Sequence, residues 1–286
     1  MWFAPKDALD KIKVTNHQNV DYYFTKETLG WKPTLWSGTT YDQPRTVKVK
    51  VEQTVANGGT KQVSEFTITQ NPGSVKTGAV TFYQFGRKDA FPGVDASKLA
   101  AGSHFTENAG NNMSIKNGIQ NPVSFYSYGS SWGAMPPTGY SYYNLWSADN
   151  MVRGGNDNPV VKTIYDPCPV GFKMPASNAF TGFTNSGQNY GPNNVDGTDN
   201  VGTYHYNYGH NFWTSSSKTA TIYFPASGFC DYYTGSLYHV GDVGYYWSAV
   251  PDSGGGSYFL FFGASDVRPL NVYNRSSGMA AHPVSE

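Results

Sequence analysis

The chain has 286 residues, 20 acidic and 20 basic side chains and no net charge, and charged residues make up only 14% of it. That length suits one large domain or two ordinary ones, and with no Lys/Arg cluster, acidic tail or polybasic segment, nucleic acid is excluded as a partner. Tyr (22), Phe (17), Trp (7) and Gly (32) are abundant, whereas Glu occurs five times. Helix formers are therefore scarce, and strands joined by long loops are expected. The longest aromatic-aliphatic run, Tyr258 to Phe262, is far too short to cross a bilayer, so no direct membrane insertion is expected.

Met1 runs straight into Trp2-Phe3-Ala4-Pro5, which reads as the middle of a β-domain, so any targeting signal is expected upstream. In residues 46–52, Val47, Val49 and Val51 alternate with polar residues, the period of a strand. Ala56-Asn57-Gly58-Gly59 supplies a turn, and residues 63–70, with Phe66 and Ile68, supply the return strand of a hairpin. Asn71-Pro72-Gly73-Ser74 breaks the pattern. The expected organisation is a β-rich N-terminal unit over residues 1–77 and a larger domain over 78–286. Within the latter, residues 95–101 and 177–183 are predicted as short helices, the second with Ser177 as N-cap. Residues 108–121, 129–139 and 185–202 are rich in Gly, Asn, Pro and Ser and are predicted as long loops. Short strands are predicted at 218–224, 245–249 and 258–262.

Three stretches are more specific than composition. The first is Lys162-Thr-Ile-Tyr-Asp-Pro-Cys-Pro-Val-Gly-Phe-Lys-Met-Pro175. The second is Tyr223-Phe-Pro-Ala-Ser-Gly228, followed by Gly235 and Gly241-Asp-Val-Gly-Tyr-Tyr-Trp-Ser-Ala249. The third is Tyr258-Phe-Leu-Phe-Phe262 with Val267, Pro269, Arg275, Gly278 and Pro283-Val284. Together with Phe85-Gly-Arg-Lys-Asp89 and Phe91-Pro-Gly93, they resemble the C-terminal domain of Bacteroidetes surface and fimbrial-tip proteins of the fibrobacter-paralogous type. The resemblance covers residues 78–286 and implies a C-type-lectin-like fold, related to that of formylglycine-generating enzymes. The fold class expected is therefore α+β but β-rich: a C-type-lectin-like domain with long loops, preceded by a small β-sandwich-like unit. The chain departs from the family's usual Val-Arg-Pro-Val ending at Ala281-His282-Pro283-Val284, so His282 is expected to hold the last strand differently.

Some members of this fold are variable proteins of diversity-generating retroelements, whose final strands and loops carry the altered positions. On that layout, alternation places Tyr258, Leu260 and Phe262 on the core face of a strand and Phe259, Phe261 and Gly263 toward solvent. The expected ligand-binding set is Asp252, Ser253, Gly255, Phe259, Phe261, Gly263, Ser265, Asp266, Arg268, Leu270, Val272, Tyr273 and Asn274. Its mixture of rings, small residues and amides resembles a paratope. The alternative is that Phe259 and Phe261 pack beneath the 185–202 loop. The resemblance implies an extracellular, surface-anchored adhesin or receptor-binding module whose partner is a protein or glycan on another cell, a host surface or a phage. A structural pilus subunit contacting its neighbours is the alternative.

Other chemistry finds little footing. Asn193 to Asn200 offers oxygen ligands but neither the spacing nor the distal Glu of an EF-hand, so a turn-rich loop is expected and no metal. His205 and His210 fit no zinc spacing and are read as loop residues. Trp213 and Trp247 could stack on sugars, but core positions suit them better. Cys168 and Cys230 are too few for a disulfide framework, and their pairing is left open. No nucleophile elbow or phosphate loop occurs, so neither catalysis nor a cofactor is expected.

Overall fold

The computed structural model describes residues 11–30, 36–37, 40–41, 45–53, 62–70, 80–92, 106, 108–128, 145–148, 153–197 and 209–286. In chain order the first strands are β1 (Lys11–Thr15), β2 (Asp21–Thr25), β3 (Trp36–Ser37), β4 (Thr40–Tyr41), β5 (Arg45–Gln53), β6 (Gln62–Gln70), β7 (Thr81–Gln84) and β8 (Phe91–Pro92). Helix α1 (Ile115–Gln120), β9 (Phe172–Lys173) and a 3₁₀ helix (Ser177–Phe183) follow. The remainder is β10 (Gly209–Trp213), β11 (Thr221–Pro225), β12 (Phe229–Cys230), β13 (Leu237–Tyr238), β14 (Gly244–Pro251), β15 (Gly256–Phe262), β16 (Val267–Asn274), β17 (Gly278–Met279) and β18 (Val284–Ser285).

Two sheets stitch distant parts of the chain together. One has the order β1-β2-β18-β9, and the other β13-β12-β17-β7-β8. Beside them lie the three-stranded antiparallel sheet β14-β15-β16 and the pairs β10-β11, β3-β4 and β5-β6. The predicted hairpin is β5-β6, in which Val49 faces Phe66 across the ladder and both are buried. The predicted strands at 218–224, 245–249 and 258–262 correspond to β11, β14 and β15.

The expected α+β class is corrected to nearly all-β, because only 7% of the residues are helical. The physical reason lies in local composition. Helix α1 stops after six residues, with Asn117 and Gly118 inside it and Pro122 just beyond, and is held by the Ser114 hydroxyl accepting from Asn117 N–H. The 177–183 segment forms a 3₁₀ helix, and its N-cap is Ala176, which makes no side-chain cap bond. Ser177, predicted to cap it, instead accepts from Asn156 N–H through its hydroxyl. The predicted helix at 95–101 lies outside the described residues. Within residues 1–77 the described part consists of three hairpins. The first of them, β1-β2, is hydrogen-bonded to the C-terminal strand through Phe24↔Val284. The predicted boundary at 71–74 lies outside the described residues.

Aromatic rings fill the interior where aliphatic residues usually would. In one cluster Phe183 stacks on Phe212 at 4.2 Å, and Phe224 meets Phe24, Phe183, Phe212 and Tyr246 edge to face. A second cluster gathers Tyr83, Phe85, Trp146, Phe172, Met174, Trp247 and Phe259. Each fully buried ring of this size contributes roughly 1.5–3 kcal/mol of transfer free energy, so a 38% apolar chain can still build a stable core.

His282 lies in the first of these regions and ties the last strand to the first hairpin. Its Nε2–H donates to the Thr25 carbonyl (2.8 Å), and the Thr28 hydroxyl donates to Nδ1 (3.2 Å). The carbonyl can only accept, which fixes the neutral Nε2–H tautomer. The ring stacks on Phe224 at 4.1 Å and meets Phe24 edge-on. Burial pushes its pKa down to about 4 from the ordinary 6.5, outweighing the Thr25 carbonyl. The unfolded chain therefore binds a proton that the folded chain refuses between these two values. Stability from this group is complete above pH 6.5 and is lost as pH falls toward 4, about 3 kcal/mol in all. Urea unfolding between pH 7.5 and 4.5 should show that loss, and His282→Gln should flatten it; equal slopes in the two proteins would refute this account.

Candidate functional site

The sheet β14-β15-β16 has two chemically different faces, set by the two-residue period of its strands. Tyr246, Leu260, Phe262 and Val267 point into the first core cluster. Tyr245 and Trp247 on β14, Phe259 and Phe261 on β15, and Arg268, Asn271 and Tyr273 on β16 share the opposite face through the pairs Tyr245↔Phe261, Trp247↔Phe259, Phe259↔Asn271, Phe261↔Arg268 and Ser257↔Tyr273. A bulge between Phe259 and Phe261 keeps Arg268 in register with Phe261. The centre of this face is covered, with Trp247 and Phe259 buried in the second cluster. Its rim, formed by Tyr245, Phe261, Arg268 and Tyr273, is half-buried.

From that rim a continuous network of ring contacts runs across neighbouring loops. Arg268 lies over the rings of Tyr190 (4.3 Å) and Phe261 (4.8 Å), and its Nε and guanidinium pair with Asp266 at 2.8 and 2.5 Å. Phe261 meets Tyr245 edge-on at 5.3 Å, and Tyr245 packs against Phe229 at 4.5 Å. Phe229 reaches Tyr238 and Tyr273, and Tyr273 meets Tyr232 at 5.6 Å. Tyr232 in turn contacts Tyr128 and Tyr233. Tyr190 and Tyr233 are 71% and 70% exposed, and Tyr128 and Tyr238 are nearly half exposed, so the network ends in solvent at several points.

Tyrosines inside the protein use their hydroxyls internally: Tyr22 donates to Asp157, Tyr126 to the Asn117 carbonyl and Tyr246 to the Pro225 carbonyl. Those of Tyr128, Tyr232, Tyr233, Tyr238, Tyr245 and Tyr273 make no hydrogen bond to any described residue. Burial, then Tyr273, pushes the Tyr245 pKa up to about 12, and burial raises that of Tyr273. The loops that carry them are fixed by the backbone. The Asp231 carboxylate accepts from the N–H groups of Tyr233 and Thr234, Tyr128 N–H donates to the Tyr232 carbonyl, and Asn189 both donates to and accepts from the Leu270 backbone.

The predicted binding set divides on this geometry. Phe261, Arg268, Leu270, Val272, Tyr273 and Asn274 line β15 and β16 with at least partial exposure. Phe259 is 1% exposed; the alternation was read correctly, but Trp247 covers this position, so it is corrected to a core residue. Gly263 is also buried and donates from its N–H to the Asp266 carbonyl in the turn holding Ser265. Asp252, Ser253 and Gly255 occupy the β14–β15 turn, at the opposite end of β15 and about 20 Å away for a strand of this length. Tyr258, predicted to be core, is half-buried. Sequence reasoning missed Tyr128, Tyr190, Tyr232, Tyr233, Tyr238 and Tyr245, whose one sequence signal is the density of tyrosine in the loops and short strands of this part of the chain.

The remaining motifs are structural. Lys162 Nζ donates to the carbonyls of Cys168 (2.6 Å), Pro169 (2.9 Å) and Phe172. The Asp166 carboxylate accepts from Cys168 and Met174 N–H, and burial nonetheless raises its pKa. Cys168 and Cys230 are separate buried thiols in different clusters, so the open question of pairing is answered. Burial raises the Cys168 thiol pKa well above the ordinary range, which keeps it unreactive. Trp247 is core as expected, whereas Trp213 is half-buried. His210 is buried, with Nε2 2.9 Å from the Gly263 carbonyl, and His205 lies outside the described residues. Among the described residues no group of His, Cys, Asp and Glu could hold a metal ion, and no helix is long and apolar enough to cross a membrane. Comparison with protein-family models, with curated proteins and with solved structures gave no match, which leaves the geometry of this face to carry the functional reading.

Proposed function

We propose that the chain is a ligand-binding module of a cell-surface or pilus-tip adhesin, and that it binds through the rim of the β14-β15-β16 face and the tyrosine loops beside it. One observation carries this reading: a continuous network of ring contacts that reaches solvent at Tyr128, Tyr190, Tyr233 and Tyr238 and contains tyrosines whose hydroxyls bond to no described residue. Rings with two rotatable torsions offer contact area at low entropic cost, and Tyr and Arg dominate binding hot spots. The division of labour on the sheet supports the same reading. Trp247, Phe259, Leu260 and Phe262 hold the scaffold, so the rim can meet a partner without the core being disturbed. The sequence resemblance to surface and fimbrial-tip proteins points the same way.

Adhesion of labelled protein to intact cells tests it. The triple variant Phe261→Ala, Arg268→Ala and Tyr273→Ala should bind at least about tenfold more weakly, each truncated anchor costing on the order of 1–2 kcal/mol. Its unfolding transition should stay cooperative, because none of the three is fully buried. Undiminished adhesion by a folded triple variant would remove this face from the function.

A further inference from the structure

Resting on that reading, we propose that the ligand of the tyrosine face is a neutral glycan, gripped around Tyr128, Tyr232, Tyr233 and Tyr273. The rings stand 5.6–6.4 Å apart along this part of the network, Tyr232 lying between the other three. They are held at steep angles to one another, 89° for Tyr128 and Tyr232 and 83° for Tyr232 and Tyr273, so they form separate platforms rather than one stack. A pyranose ring carries an apolar C–H face and a rim of hydroxyls that both donate and accept. A tyrosine offers the counterpart of each: a ring face, and a hydroxyl with one donor and two acceptor sites.

Charge decides against an anionic ligand. Residues 219–286 contain no lysine and two arginines. Arg275 is buried, and Arg268 is paired with Asp266. Asp231 holds the turn of Tyr233 and Thr234 through one carboxylate oxygen and brings a negative charge to the middle of the rings. An anionic polymer would therefore meet no unpaired cation among residues 219–286, and the Asp231 carboxylate beside Tyr232 would repel it. A neutral, hydroxyl-rich chain loses nothing on such a surface.

Affinity electrophoresis through gels containing α-mannan, mixed-linkage β-glucan or galactan, with alginate and dextran sulfate as anionic counterparts, provides the test. Wild-type protein should be retarded by at least one neutral polysaccharide, with retention unchanged between 0.15 and about 0.5 M salt because no ion pair is involved. Tyr233→Ala and Tyr273→Ala should each cut the retention constant about tenfold or more, while Tyr233→Phe, which keeps the ring and loses the hydroxyl, should fall between. Tyr233 is 70% exposed, so its variants should melt with the parent protein. Absence of retention by every neutral polysaccharide, retention only by the anionic ones, or retention indifferent to the alanine variants would each overturn the glycan assignment. If cell adhesion still depended on Tyr273 in that event, the partner would be a protein and the binding role would stand; if adhesion were indifferent too, both would fall.

Discussion

Trp247→Ala is expected to lower the unfolding free energy by about 3–5 kcal/mol, a large share of the total stability of an ordinary domain. The indole is fully buried, meets Phe85 and Phe259 edge to face at 5.7 and 5.9 Å, and donates from Nε1–H to the Tyr83 carbonyl at 2.9 Å. Truncation therefore opens a cavity and also removes a donor from a buried carbonyl of β7, two costs that add. The hydrogen bond joins β14 to a strand of another sheet, so the loss should spread beyond the cavity. Trp213→Ala supplies the control. Its ring is half-buried, and its truncation should cost less than half as much. Urea unfolding followed by far-UV circular dichroism measures both, and equal losses would mean that Trp247 is not the anchor described.

Arg87→Met should be comparably damaging, about 3–5 kcal/mol, although it removes a charge rather than a ring. The guanidinium is almost wholly buried beneath the Phe91 and Tyr126 rings. It donates to Asp89 (2.9 and 3.2 Å), to Gln84 Oε1 (2.9 Å) and to the Ser124 carbonyl (2.7 Å). Burial lowers its pKa, and Asp89 only partly offsets this. Removing the arginine leaves a buried carboxylate whose other cation, Lys88, is partly exposed, and strips several carbonyls of their donor. Replacing both partners, as in Arg87→Met with Asp89→Leu, should recover part of the loss, because an apolar pair no longer confines an isolated charge. A double variant no more stable than Arg87→Met would show that the carbonyl contacts, rather than the ion pair, carry the cost.

Much of the sheet that bears the candidate face was legible in the sequence, and its exposure was not. Alternation in Tyr258 to Phe262 correctly separated Leu260 and Phe262 from Phe259 and Phe261. Period two assigns residues to faces, but it cannot say whether the second face is covered. Phe259 was lost on that point, because the element covering it includes Trp247 on β14 and a core drawn from residues as distant as Tyr83. The β1-β2 hairpin passed unread although Ile12 and Val14 alternate with lysines; β18, its partner, is two residues long and carries no period of its own. The tyrosine rim was invisible for a different reason. Tyr128, Tyr190, Tyr232 and Tyr273 come from four separate segments, and only tertiary packing gathers them. At 177–183 the predicted short helix forms over the predicted span as a 3₁₀ helix, with Ser177 inside it rather than capping it.

The place of β18 between β2 and β9 has a consequence for how this protein is made. The Thr25 N–H donates to the Pro283 carbonyl, and the two residues stand 258 apart in sequence. A ribosome delivers the β1-β2 hairpin long before its partner exists, so Val14 and Phe24 must wait through the synthesis of more than 250 further residues for the strand that completes their sheet. Contacts of this span are closed late and slowly, since the loop entropy must be met before they contribute anything. The half-built sheet keeps an open edge throughout that interval, and its protection in the cell falls to whatever binds nascent apolar strands.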